Sequence, residues 1–411
     1  MEKLLSKLTR TSRLDAVLMI FASVFIVSFH FFFIYFINSS YITAFVGEKF
    51  VSIIFACGAI LNISLLLSAP KLLRKHGLIN MTFGIVALEA LSLILLAFPL
   101  HPIIAILAFF LHMAVSSVLM YCLDMLLEQY STKDQMGSMR GMFLTMWNIP
   151  PVITPFIAGL ILTNDNSHFR AAGETLLSQL YKVGYWKIYI IAAVFLIPFT
   201  IILKAYFSDF KDPEYPKMNV RETIQKFYSN KNIFDVFADR LLLNLYFAWS
   251  VVYIPIYLHN HIGFTWNQVG IILSSMLLPF VLFQRMIGKL QDQKHQEKSL
   301  LIFGFLIISV ATIIQPFITT PSMLAWILIL FVAHIGAAFV EVSSESYFYR
   351  HISPTNSGFI SLFRMTRTIP YLLIPPLVGL SLLILPFNQM FLVLGCIMFI
   401  GVRYAFLIKE D

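Results

Sequence analysis

The chain has 411 residues, of which 59% are hydrophobic and 12% charged, and its mean hydropathy is +0.82. A soluble domain carries about 25% charged residues, so soluble, disordered and fibrous proteins are excluded. The net charge of +8 indicates basic residues beside a membrane rather than nucleic-acid binding. At about 20 residues per membrane span plus a connection, the chain has room for about 12 spans.

Twelve apolar runs predict an all-α membrane protein with twelve transmembrane helices, numbered here as spans 1 to 12. Spans 1 to 6 cover residues 15–37, 51–69, 79–98, 102–124, 140–162 and 186–203. Spans 7 to 12 cover residues 233–258, 267–288, 299–317, 323–345, 358–383 and 387–408. Span 1 is too long for a signal-peptide core, so we expect it to remain in the protein.

A polar segment with two prolines, residues 205–232, lies at the middle of the chain. We interpret it as a cytoplasmic linker between two pseudo-symmetric six-helix bundles, residues 1–204 and 233–411. Residues 220–228 are compatible with a short amphipathic helix on the membrane surface.

The basic residues predict the orientation of the spans. All 29 Lys and Arg lie in or next to segments on the side of the N-terminus, except Lys49, Arg170, Lys182, Lys187 and Arg240. By the positive-inside rule both termini are cytoplasmic. The expected location is the bacterial inner (plasma) membrane.

The two halves share a pattern of acids, glycines and prolines. Each half has two acids four residues apart at the end of a span, a glycine thirteen residues later, and then Pro-x-x-x-Gly. The first half has Asp124, Glu128, Gly141, Pro155 and Gly159; the second has Glu341, Glu345, Gly358, Pro375 and Gly379. This shared order indicates an internal repeat.

A second pair of motifs follows spans 2 and 8. The first reads Pro70-Lys-Leu-Leu-Arg74-Lys75-His-Gly77, and the second reads Gly288-Lys-Leu-Gln-Asp292-Gln-Lys-His295. Both resemble the G-x-x-x-D-R-x-G-R signature of the major facilitator superfamily, with Arg74 replacing the acid in the first copy. The stretch from Pro155 to Gly159 is similar to a G-P-x-x-G-G motif linked to antiporters.

The resemblance implies a secondary transporter with two six-helix bundles, a cavity between them and alternating access. It implies that spans 1, 4, 7 and 10 line the cavity, flanked by spans 2, 5, 8 and 11, and that spans 3, 6, 9 and 12 face lipid. Acids at the ends of spans 4 and 10 are expected to pair with bases in cytoplasmic loops and form a gate. The alternative is that they are solvated at the helix ends. The gating candidates are Arg74, Lys75, Gly77, Asp124, Glu128, Arg140, Gly288, Asp292, Glu345 and Arg364.

Charged residues inside spans 7, 10 and 11 mark a functional region, because a charge at membrane depth costs several kcal/mol. We expect a closed ion network in which Asp239 and Glu341 neutralise Arg240 and Arg364. Arg367, about ten residues into span 11, then lacks a partner and is the best candidate to bind an anionic group of a substrate.

Further polar and aromatic residues inside the spans are candidates for a solute cavity. The substrate candidates are Arg367, His334, His30, His112, Asn148, Trp147, Trp249, Tyr253 and Gln284. Pro150 and Pro151 are expected to kink span 5 beside Asn148. Histidine titrates near physiological pH and can carry a coupling proton, although a packed core histidine is the alternative. The proton-coupling candidates are Asp239, Glu341, Glu89 and His334. Glu89, on span 3, is expected to be protonated or paired with a neighbouring helix.

The sequence has no phosphate-binding Gly-rich loop with Lys, no H-E-x-x-H motif and no Cys/His cluster, so we expect no cofactor and no metal. We predict a secondary active transporter for a small organic solute, coupled to protons, with efflux slightly favoured. Its partners are the solute, H⁺ and the bilayer, without nucleic acid, and a monomer is compatible with the sequence. The alternatives are an intramembrane enzyme acting on a lipid head group, with His112, His334 or Glu341 as acid–base groups, and a transport-inactive sensor or partner protein.

Overall fold

The computed structural model describes residues 13–35, 37–46, 48–161, 184–216, 219–294, 296–353 and 355–409. Within these ranges the regular structure is helical, and no strand occurs. Residues 162–183, which connect spans 5 and 6 and include Arg170 and Lys182, lie outside these ranges. The basic residues Lys3, Lys7 and Arg10 also lie outside the described residues.

The described ranges form sixteen α-helices. In chain order they are α1 (Arg13–Tyr35), α2 (Asn38–Val46), α3 (Glu48–His76), α4 (Leu78–Ala97), α5 (Pro102–Tyr130), α6 (Met136–Asn148), α7 (Pro150–Ile161), α8 (Tyr185–Phe207), α9 (Val220–Ser229), α10 (Lys231–Ile256), α11 (Trp266–Lys294), α12 (Glu297–Ile314), α13 (Met323–His351), α14 (Ser357–Met365), α15 (Pro370–Ile384) and α16 (Met390–Leu407).

The predicted all-α fold class is confirmed. Nine stretches of the described chain are long and apolar enough to cross a membrane, and they correspond to spans 1–4, 6, 8–10 and 12. Span 7 is the continuous helix α10. Spans 5 and 11 are each divided into two helices, α6 and α7 in the first case and α14 and α15 in the second. The helix predicted at residues 220–228 is present as α9, with Asn219 as its N-cap.

Several helices are longer than the apolar runs that predicted them. Helix α3 continues to His76, seven residues beyond the predicted end of span 2, and α11 continues to Lys294. The backbone hydrogen bonds of these helices continue where the apolar side chains stop. As a result Arg74, Lys75, Gly288 and Asp292 lie in helices. We had expected the two motifs to lie in the loops after spans 2 and 8.

The first compact unit comprises Met1–Tyr130, Ile153–Met218 and Pro354–Arg364. Helix α5 packs against α1, α3 and α4, and α8 packs against α1 and α4. These five helices bury the apolar core of this unit, which includes Ile20, Leu93 and Phe109.

The second compact unit comprises Ser131–Val152, Asn219–Ser353 and Met365–Asp411. Helix α13 is central to it and packs against α6, α10, α11 and α12, while α16 packs against α10 and α12. Each unit therefore takes one part of span 5 and one part of span 11. In the predicted bundles, residues 1–204 and 233–411, spans 5 and 11 each belong to a single bundle. This division of the chain stays a prediction.

Helices α6 and α11 approach closely because glycines face each other. A Cβ atom on Gly141 would lie 2.6 Å from the carbonyl oxygen of Gln284, and one on Gly288 would collide with the carbonyl of Gly137. This approach brings the motif residues of α11 beside the start of α6.

Replacing Gly141 by Ala is expected to lower the stability of the protein by about 1–3 kcal/mol, because the added methyl group overpacks the contact between α6 and α11. The matched control is Gly84→Ala in α4, where an added Cβ meets no atom within 4 Å. Thermal unfolding in detergent compares the two variants. Equal unfolding temperatures would contradict the close contact.

Candidate functional site

Two repeat-related helices are interrupted at equivalent positions. Helix α6 ends at Asn148, seven residues after Gly141, and α14 ends at Met365, seven residues after Gly358. Proline opens the helix that follows each break, at positions 150 and 370, because proline has no N–H to donate and favours the first helical turn. Interrupted helices in corresponding positions of two repeats mark the binding site in many transporters.

Glu341 of α13 is the centre of a buried polar cluster in the second unit. Its Oε1 accepts a hydrogen bond from Arg240 Nη2 at 2.9 Å and lies 4.0 Å from Arg367 Nη2. Its Oε2 accepts a hydrogen bond from Gln284 Nε2 at 2.7 Å and one from Asn148 Nδ2 at 3.5 Å. The cluster thus combines side chains from α6, α10, α11, α13 and the break in span 11. We call these five residues the Glu341 cluster.

A second carboxylate extends this cluster along α13. Glu345 Oε1 lies 3.2 Å from Arg240 Nη2, and Glu345 Oε2 lies 3.9 Å from Arg140 Nη1. The Arg140 guanidinium also lies 3.2 Å from the ring centroid of Tyr349, as a cation–π contact. Arg240 is therefore neutralised by Glu341 and Glu345.

The predicted role of Asp239 in this network is wrong. Its carboxylate is fully buried in α10, and neither oxygen has a hydrogen-bond partner among the described residues. The helix directs Asp239 and Arg240 to different sides because consecutive residues do not share a face. Its proton-coupling role stays a prediction.

Arg367 also differs from its prediction. It lies in the turn at residues 366–369 between α14 and α15, not inside a continuous helix. It has partners: besides Glu341 it contacts the ring of Trp147, whose centroid lies 5.6 Å from the guanidinium carbon. Its side chain is 25% exposed, whereas that of Glu341 is 6% exposed. Arg367 is therefore more exposed than the carboxylate that it faces.

Arg364 pairs with Asp124 and not with Asp239 or Glu341. In the first unit its Nε and Nη2 atoms donate to the two carboxylate oxygens of Asp124, and both side chains are buried. Glu128 and Glu345 are buried as well. The alternative that the acids at the ends of spans 4 and 10 are solvated is therefore wrong.

Asp292 of the second motif caps the start of α6. Its carboxylate oxygens accept hydrogen bonds from the backbone N–H groups of Gly137 at 2.8 Å and Ser138 at 2.7 Å. A carboxylate at a helix N-terminus satisfies unpaired donors and the helix dipole. Arg350 bridges Asp292, at 3.2 Å, and Glu297.

The sequence analysis missed Arg350, although the repeat contained a signal for it. A basic residue stands five positions after the second acid in both halves, Lys133 after Glu128 and Arg350 after Glu345. The two residues also meet, since Arg350 Nε donates to the backbone carbonyl of Lys133 at 3.3 Å.

The first copy of this motif is arranged differently. Arg74 and Lys75 are exposed in the last turn of α3, and Gly77 makes the following turn with φ +76°. The carboxylate of Asp212, from the linker, accepts a hydrogen bond from Leu78 N at 2.8 Å at the start of α4. It also accepts one from Tyr215, whose pKa is raised by burial and by the adjacent carboxylate. Nothing in the motif itself indicated Asp212.

A separate buried cluster lies in the first unit. His30 Nε2 of α1 lies 2.9 Å from Glu89 Oε1 of α4, and His112 Nδ1 of α5 lies 2.7 Å from the same oxygen. Glu89 is fully buried and paired with α1 and α5, which agrees with the expectation that it is protonated or paired with a neighbouring helix. Asn38 and Tyr189 extend the cluster, and the sequence analysis missed both.

His334 and Trp249 are core residues, whereas Tyr253 is half-buried. His334 Nδ1 donates to the Leu330 carbonyl at 2.8 Å, and its ring packs against those of Tyr246 and Phe280. Trp249 is fully buried and tilted against Tyr253, with ring centroids 6.1 Å apart. The described contacts of His334 do not include Glu341, so they supply no acid–base pair for the enzyme alternative.

Comparisons with known proteins identify the fold. The Major Facilitator Superfamily model matches residues 241–411. A variant of the E. coli fucose:proton symporter FucP aligns with a TM-score of 0.75 and 14% identity, over 96% of this chain and 100% of that chain. FucP in the outward conformation gives 0.73 and 12% over the same shares. The human organic anion transporter MFSD10 (TETRAN) gives 0.67 and 11%, over 96% and 99%. The sequence has no significant match among curated proteins.

The Major Facilitator Superfamily model thus covers the C-terminal part of the chain, and the three solved structures share its fold over 96% of the chain at 14% identity or less. The many long apolar helices make it an integral multi-pass membrane protein.

Proposed function

We propose that this protein is a secondary active transporter that couples protons to a small organic solute bearing an anionic group. The observation that carries the proposal is the Glu341 cluster, a buried set of two guanidinium groups, one carboxylate and two amides. It includes residues from both helix breaks, where a repeat-built transporter is expected to bind its solute.

Arg367 supports an anionic substrate group. A guanidinium binds a carboxylate or phosphate through two parallel hydrogen bonds, and the exposed part of Arg367 is available beside the Trp147 ring. MFSD10, which has the same fold, is described as an organic anion transporter. At 11% identity this likeness supports the fold alone, so the substrate class depends on Arg367.

Glu341 supplies a physical route from proton binding to solute binding. Its carboxylate and an incoming anion compete for the Arg367 guanidinium, 4.0 Å away. When Glu341 takes a proton, its attraction for Arg367 falls and the guanidinium can turn to the solute. The proton and the anion then bind together, as coupled transport requires. FucP, a proton symporter of the same fold, is consistent with such coupling.

The direction and the gate complete the proposal. Binding of the proton and the anion together is symport, which an inward proton gradient drives as uptake. The antiporter-like stretch from Pro155 to Gly159 favours efflux instead, which would require the proton and the anion to exclude each other; the side chains at these two positions lie outside the described part of the structure. Both termini are cytoplasmic, the membrane is the bacterial inner membrane, and the protein acts as a monomer.

The ion pairs of Asp124 with Arg364 and of Asp292 with Arg350 form the proposed gate. They hold one conformation and break in the other.

Proteoliposomes loaded with a pH dye test this function against a panel of organic acids, sugars, amino acids and cationic drugs. We expect proton movement with an organic acid, and a fall of about 10-fold or more in Arg367→Ala, which loses a charge-assisted contact. Arg403→Ala, at an exposed arginine of α16, is the matched control and should transport normally. Folded protein that moves no proton with any compound, or equal rates in both variants, would contradict the proposal.

A further inference from the structure

The protonation of the buried cluster in the first unit follows from its hydrogen-bond partners. His30 Nδ1 lies 3.1 Å from the backbone carbonyl oxygen of Ala192. A carbonyl oxygen only accepts, so His30 Nδ1 carries a hydrogen. The opposite ring nitrogen, Nε2, faces Glu89.

The second histidine is fixed by a chain of two further residues. Tyr189 donates its hydroxyl hydrogen to Asn38 Oδ1 at 3.0 Å, and Asn38 Nδ2 faces His112 Nε2 at 3.4 Å. An amide nitrogen only donates, so His112 Nε2 is an acceptor without a hydrogen. His112 is therefore neutral, and its Nδ1–H donates to Glu89 Oε1 at 2.7 Å.

One proton remains to be placed between His30 Nε2 and Glu89 Oε1, 2.9 Å apart. Without it, two acceptors would face each other and a carboxylate would be buried without a countercharge, which is costly in an apolar interior. With it, the pair is either imidazolium and carboxylate or imidazole and carboxylic acid. Both forms have zero net charge.

No other charged group among the described residues takes part in this balance. The polar contacts of Glu89 are His30, His112 and Ser92. In the part of the chain that the structure describes, α4 packs against α3, α5 and α8, and the rings of Tyr185 and Tyr189 of α8 contact that of Tyr41. The hydrogen-bond separations leave no space for a metal ion, and the described chain has no group of three residues that could hold one.

We propose that His30, Glu89 and His112 form a binding site for a single proton, shared between His30 Nε2 and Glu89 Oε1, and that this proton is exchanged in each transport cycle. Asn38 and Tyr189 are positioning residues that prevent His112 from taking a second proton. The exchange step rests on the proposed proton coupling, whereas the protonation pattern stands without it.

Nitrogen-15 NMR of histidine-labelled protein in nanodiscs tests the protonation pattern without any solute. We expect the wild type to show His112 as the neutral Nδ1–H tautomer, and Asn38→Leu, which removes the amide donor from Nε2, to change that tautomer or protonation. The control is Glu214→Gln, at an exposed acid of the linker. An Nε2–H or doubly protonated His112 in the wild type would overturn the proposal, even if no substrate is ever found.

Proteoliposomes test the exchange step. Glu89→Gln should remove one proton from each transport cycle and leave the one proposed at Glu341, while solute exchange at equal pH on both sides continues. His30→Gln should do the same, and it serves if the first variant does not fold. An unchanged proton-to-solute ratio in both folded variants would overturn the proposal, as would stoichiometric Zn²⁺ binding that Glu89→Gln abolishes. Failure of wild-type transport would instead contradict the proposed function.

Discussion

Replacing Glu341 by Gln is expected to reduce coupled transport about 100-fold, because the variant loses charge-assisted hydrogen bonds worth about 1.5–3 kcal/mol each. Glu341 is the acceptor for Arg240 and Gln284 and the nearest carboxylate to Arg367. The amide keeps the shape of the side chain but neither its charge nor its ability to exchange a proton. Both Arg240 and Arg367 then lose part of their countercharge.

Solute-driven proton movement and solute exchange should be measured together for this variant. If Glu341 acts in coupling, proton movement is lost while solute exchange at equal pH continues, because glutamine mimics the protonated acid that releases Arg367. Glu341→Asp should recover part of the proton movement, because it restores a group that can exchange a proton. Glu214→Gln in the exposed linker controls for the loss of an acid. Solute-driven proton movement by Glu341→Gln at more than one tenth of the wild-type rate would exclude Glu341 as the coupling group.

Removing the charge of Asp124 should destabilise the protein by about 3–5 kcal/mol, since the buried Arg364 would lose the carboxylate that it contacts through two nitrogens. Both residues are buried in the first unit, and the guanidinium contacts the carboxylate through two nitrogens. Asp124→Asn should therefore unfold in detergent at a clearly lower temperature. A cost below about 1 kcal/mol would show that Arg364 is not held by this pair.

A double variant separates the structural role of this pair from its role in the gate. Asp124→Leu combined with Arg364→Met replaces both charges by apolar groups of similar size, and such a replacement is often neutral or stabilising. We expect its unfolding temperature to return to the wild-type value while its transport stays slow. Normal transport by the stable double variant would mean that the pair only stabilises the fold.

Hydropathy and charge placement were sufficient to predict the class of protein. The apolar runs predicted the helices, and the paired acids and glycines predicted the repeat, because these features depend on the solvent around each segment and on local spacing. The prolines at positions 150 and 151 predicted a kink in span 5, at the place where the structure has a break. The break in span 11 was not predicted, since only Pro370 indicates it.

The main errors of the sequence-based predictions concerned which side chains the buried charges pair with. Asp124 and Arg364 are 240 residues apart, and their pairing depends on how α5 and α14 are rotated and aligned along their axes. Hydropathy reports that a residue is buried but not which side chain it faces, so Asp239 was wrongly paired with an arginine. The same limit hid the contact between Asp212 and the start of α4.

The sequence by itself thus determined the helices, the repeat and the residue types that a functional site needs. Only the tertiary structure decided that Arg240, Gln284, Asn148 and Arg367 meet at Glu341, and that two histidines share the oxygen of Glu89. The physical reason is the short range of these interactions. A hydrogen bond requires atoms within about 3 Å, and helix rotation and register set that distance through packing contacts distributed over the whole chain.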